Sequence, residues 1–209
     1  LQEWFNTLVL AFTGLFVIVD PFGTLPVFLS LTRDEDEAGT LLTIRRACLY
    51  GASILAFFAL LGAPLLRFLQ IDMNAFRAGG GLLLLLTALD MLRSKTTARN
   101  LEAMDASERA DISMVPMAMP LLAGPGAITS VMVLASTPAP QRWIHLGLIL
   151  IAIALVFALA YLILRSSARI KTLLGKTGIT AIQRIMGLLL AALSLQFIVQ
   201  GIVAMVKAS

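Results

Sequence analysis

A chain of 209 residues that is 59% hydrophobic and only 13% charged, with a mean hydropathy of +0.92, is too apolar for a soluble domain whose surface must be solvated. What remains is a polytopic membrane protein with room for about six spans of ~20 residues, short loops and no separate soluble domain. The net charge of +4 and pI near 9.7 do not signal a nucleic-acid partner, because Lys and Arg fall between apolar runs, where they set topology.

The start, Leu1-Gln2-Glu3-Trp4-Phe5, has neither a basic region nor a small-x-small cleavage site before its apolar run, and so does not read as a cleaved signal peptide. Span one is expected from Trp4 to Thr32. Its ~29 residues exceed the ~20 a straight helix needs, which fits an interruption at Asp20-Pro21-Phe22-Gly23-Thr24-Leu25-Pro26. Span two, Ala47 to Leu66, holds Cys48; as the sole cysteine it excludes an internal disulfide or a cysteine-based metal site. Span three is short: only Ala78 to Leu89 separates Arg77 from Asp90, so one of those charges must enter the membrane or its interface. It contains Gly79-Gly80-Gly81, expected to be a packing surface rather than a ligand loop.

A polar segment joins the halves. Span four, Ile112 to Thr137, contains Pro116, Pro120 and a second break at Gly124-Pro125-Gly126. Span five is Trp143 to Leu164, followed by a basic loop from Arg165 to Lys176. Span six, Ile185 to Val206, places Gln196 and Gln200 four apart on one face, a spacing that suits hydrogen bonds between helices. With the N-terminus outside, the inner loops carry 12 Lys and Arg against four outside, which places both termini on the outer side.

The breaks form a pair. Pro21 and Pro26 superpose on Pro120 and Pro125 with an offset of 99, and span three matches span six with an offset of 107, Arg77 on Arg184 and Gly80 on Gly187. The expected fold is therefore all-α, a single membrane domain of six spans arranged as a 3+3 inverted repeat with spans one and four discontinuous. Repeat A is 1–92, the connection 93–111 and repeat B 112–209. A proline removes a backbone donor and disrupts the preceding turn at a depth where lipid satisfies nothing, so each break must face a wet cavity or a ligand. At the second, the amides of Gly126, Ala127 and Ile128 are expected to be free at a helix N-terminus, where a carboxylate fits. The substrate is placed between the breaks.

The stretches Val17 to Thr32 and Pro120 to Ile128 resemble the two signature motifs of the MarC family, and the resemblance extends over nearly the whole chain. That family includes small neutral amino-acid transporters of prokaryotic inner membranes. The resemblance implies a carrier of glycine, alanine and similar amino acids, coupled to a proton or sodium ion and without another cofactor.

The candidate substrate-binding residues are Asp20, Pro21, Gly23, Thr24, Pro26, Gly124, Pro125, Gly126, Ala127, Ile128 and Thr129. Asp20 before Pro21 is also the pattern of a helix cap, Asp at N-cap and Pro at the first helical position, and the two roles are compatible. Arg77, Asp90 and Arg184 are candidates for coupling or gating, or else interfacial anchors. His145 stands alone and is expected to be structural. No hydrolase elbow or zinc-protease pattern occurs, so an enzyme is not expected. The alternative is an exporter or channel for another small solute on the same scaffold. Oligomeric state is not readable.

Overall fold

The computed structural model describes residues 2–32, 35–93, 122–136 and 141–208. Among these the fold is entirely helical. Helix α1 (Gln2–Val19) ends where Asp20 takes φ 45, a conformation in which a helix cannot continue. Helix α2 (Leu25–Leu31) follows the turn, with a proline in its first turn, where the missing amide costs nothing. Helix α3 (Glu37–Phe68) starts at Asp36, whose carboxylate accepts the Gly39 amide at 2.8 Å.

Helix α4 (Met73–Leu92) starts on Asp72, which accepts from the Asn74 and Ala75 amides. Its 20 residues take in both Arg77 and Asp90, so the short third span reaches a full crossing length by including both charges. Helix α5 (Pro125–Ser136) is short, helix α6 (Arg142–Arg165) long, and helix α7 (Ser167–Ala208) longest, kinked at Gly175 with φ 60. The segment Arg165 to Lys176 was expected to be a basic loop. It is mostly helix, broken by a turn at Ser166 and the kink at Gly175, because nothing but that glycine interrupts its residues of ordinary helix propensity.

Among the described residues five helices are long and apolar enough to cross a membrane: α1, α3, α4, α6 and the Thr177–Lys207 part of α7. Of the expected fourth span the described residues contain α5 and the turn before it; Pro116, Pro120 and the connection beyond Arg93 lie outside them.

Packing follows the small residues. Helix α4 lies along α7, α6 lies against both α1 and α3, and α5 lies against α3 and α4. The glycine triplet divides its work: a Cβ on Gly80 would run into Thr129 of α5, and one on Gly81 into Ile198 and Phe197 of α7, while Gly79 faces open space. On α7, Gly201 approaches the Asn74 carbonyl and Gly187 the Ala88 carbonyl, so the two helices meet through glycine from both sides. Helix α5 is enclosed all round, with every residue from Gly126 to Val133 buried.

Candidate functional site

The first break is closed by its own side chains. Asp20 is 6% exposed, and its Oδ1 accepts the Gly23 amide at 3.0 Å while its carbonyl accepts the Thr24 amide at 3.2 Å. Asp20 thus closes the turn between α1 and α2 rather than capping a helix as its place before Pro21 suggested, since the N-cap of α2 is Thr24. The buried Thr24 hydroxyl returns to the Pro21 carbonyl at 2.9 Å. Pro21 is buried and Pro26 half-buried.

Gly23 is needed as glycine here. A Cβ would collide with the Asp20 carboxylate and come within 2.7 Å of Met91 Cε on α4. Its carbonyl, freed by the turn, accepts Gln183 Nε2 of α7 at 3.3 Å. A carboxylate buried this deeply carries about four lone-pair sites, of which the described residues fill one, so it has capacity for an ammonium group or a cation.

The second break is open by comparison. Gly124 is half-buried and Pro125 exposed at the tip of an otherwise enclosed helix. The Ile128 amide, expected to be free, donates to the Gly124 carbonyl at 3.0 Å, because Gly124 stands in the cap position and closes the first helical bond. Gly126 and Ala127 keep amides that helix geometry leaves without an intrahelical acceptor, and none meets them among the described residues. Thr129, 2% exposed, donates its hydroxyl to the Pro125 carbonyl at 2.8 Å and so is occupied by the backbone. Gly126 is pressed against Leu84 of α4 on the side where a Cβ would stand.

Both breaks therefore rest on α4. Leu84, against Gly126, and Met91, against Gly23, are seven positions apart on one face, two turns and ~10 Å along the axis. Between them on that face lies Ala88, the smallest side chain that could stand there short of glycine. Sequence reasoning missed Leu84, Met91 and Gln183. A leucine and a methionine in an apolar span carry no signal, and Gln183 beside Arg184 reads as an interfacial residue.

The other candidates stand apart. Asp90 is exposed and sits ~100° round α4 from Met91. Arg184 is exposed as well. Arg77 is half-buried in the second turn of α4, and its Nε meets no acceptor among the described residues. His145 Nε2 lies 3.1 Å from the Leu134 carbonyl near the end of α5, a structural use. The described residues hold no group of His, Cys, Asp and Glu that could bind a metal ion.

Comparison with known proteins gives a family. The model of the MarC family integral membrane protein matches residues 5–206. A UPF0056 membrane protein of Methanocaldococcus jannaschii is 39% identical over 93% of this chain and 95% of its own. The UPF0056 membrane protein YhcE of Escherichia coli is 38% identical over 91% and 89%, and YvbG of Bacillus subtilis 34% over 96% of each. No solved structure matches.

Proposed function

The chain belongs to the MarC family of integral membrane proteins, and on that premise we propose that it is a secondary transporter of small neutral amino acids, glycine, alanine and the like, across the prokaryotic inner membrane. The observation that carries the reading is the pair of backbone breaks seated two turns apart on one face of α4. In this reading the Gly126 and Ala127 amides, at the positive end of α5, take the substrate carboxylate. Asp20 takes its ammonium group or the coupling cation, a proton or sodium ion. A zwitterion's nitrogen and oxygens are roughly 3–4 Å apart by bond geometry. A hydrogen bond of ~2.9 Å at each end brings the total to about 9 Å, of the same order as the ~10 Å between the points at which the breaks meet α4.

Alternating access needs two halves that rock around the site. The contact pattern supports the inverted repeat this requires: with α2 matched to α5 at the offset of 99, α3 to α6 and α4 to α7, the α4–α5 contact becomes the α7–α2 contact, and α3–α6 and α4–α7 are unchanged. Spans one and four are then each a pair of half-helices, and both termini face outward.

The test is uptake of labelled glycine and alanine into proteoliposomes under an imposed pH or sodium gradient. Saturable, gradient-driven uptake with counterflow, lost in Asp20→Asn, is the expected result. Uptake of neither amino acid by well-folded protein moves the assignment to another small solute, and uptake without counterflow moves it to a channel.

A further inference from the structure

Helix α7 carries polar groups that neither the fold nor the proposed transport uses. Gln196 lies twelve residues after Arg184 and eleven before Lys207, ~18 Å and ~16 Å along the helix from the charges that mark its ends. It therefore sits near the middle of the hydrocarbon. Its side chain is exposed, as is that of Gln200 one turn on, and neither amide has a hydrogen-bond partner among the described residues. Around it the same face shows Ile185 at 60%, Leu188 at 64%, Val199 at 57% and Val203 at 45% exposure, with Ala192 also exposed one turn before. The sequence suggested interhelical hydrogen bonding for these glutamines, yet inside the chain α7 turns them outward, away from α4.

A primary amide facing lipid tails leaves two donors and an acceptor without partners. We propose that this face of α7 is covered by a second copy of the same chain, with Gln196 at the centre of the interface. Two copies inserted with the same topology are related by a twofold axis along the membrane normal, so a residue meets its own copy at its own depth. An amide suits that constraint because it is donor and acceptor at once: each Gln196 donates to the carbonyl oxygen of the other. A charged residue would repel its copy, and a pure donor would leave both unsatisfied. Ala192, one turn away on the same face, lets the two helices approach closely enough for the amides to meet.

The test uses the full chain in liposomes. In a Cys48→Ala background, Val199→Cys on the proposed face and Leu162→Cys on the exposed face of α6 are oxidised in the membrane. The expected result is a disulfide dimer from Val199→Cys and none from Leu162→Cys. Fluorescence transfer between labelled copies, diluted with lipid, then gives the dimerisation constant. Gln196→Leu is expected to weaken it on the order of tenfold, the loss of two intramembrane hydrogen bonds, while Gln196→Asn, which keeps the amide, weakens it less. Dimers from both cysteines alike, no dimer from Val199→Cys, or an unchanged constant in Gln196→Leu would each overturn the proposal. Uptake of amino acids is not part of the readout, so the outcome is independent of the transport assignment.

Discussion

The two backbone breaks began as a matched pair in the sequence, and the structure makes them unlike. At the Asp20–Thr24 turn the chain supplies its own partners, a carboxylate for the Gly23 amide, a hydroxyl for the Pro21 carbonyl and the Gln183 amide for the Gly23 carbonyl. At Gly124–Gly126 the groups among the described residues are backbone amides, with Pro125 exposed and the Thr129 hydroxyl turned back into the helix. A break that is satisfied internally holds its shape without a ligand. One that leaves amides pointing outward at a helix N-terminus has a use for an anion. On the proposed transport reading, the difference gives the two sites opposite ends of a zwitterion.

The largest effect is expected at the second break. Gly126→Ala drives a methyl group into the buried Leu84 side chain and is expected to cost about 1–3 kcal/mol as overpacking. Leu84→Ala in the same chain should recover part of that, and thermal unfolding of the two single variants and the double variant closes the cycle. Additive losses would separate Gly126 from α4. Next comes Asp20. Asp20→Ala removes the acceptor of the Gly23 amide and is expected to lower stability by about 0.5–2 kcal/mol, whereas Asp20→Asn keeps an acceptor oxygen, melts near the native temperature and still abolishes uptake. If Asn transports normally, Asp20 closes the turn and does nothing more.

Smaller changes sharpen the contrast. Thr129→Val deletes the hydroxyl bond to the Pro125 carbonyl with little change in shape, for about 1 kcal/mol. It should shift the melting point and leave substrate affinity within a few-fold, since the hydroxyl is already occupied. Gln183→Leu breaks a single half-buried 3.3 Å bond to Gly23 and is expected to cost no more than ~1 kcal/mol. Hydrogen exchange should show it as faster opening at Gly23 and Thr24 rather than as a lower melting point.

What the sequence made legible were the places where local chemistry decides. Asp20 before Pro21 announced the break in the first span, and Gly80 and Gly81 announced close packing because only missing side chains let helices approach so nearly, whereas the helical residues on either side of Gly175 read as a loop. What it hid were partners set by three-dimensional proximity. Gln183 and Gly23 are 160 residues apart, and no periodicity links them. Leu84 and Met91 are indistinguishable by composition from the apolar residues beside them. The Ile128 amide is not free because Gly124 stands in the cap position, where its carbonyl accepts the first intrahelical bond.

Helix α4 has one further consequence. It touches one break through Leu84 and the other through Met91, on a single stiff rod whose glycines seat it against α5 and α7. A turn of that rod about its own axis by 20° sweeps side-chain tips at ~6 Å radius through about 2 Å, in the same sense at both places. The breaks are thus geared to each other like two teeth on one shaft. A spectroscopic label beside Met91 should register what happens at Gly126, although nothing at that distance touches it.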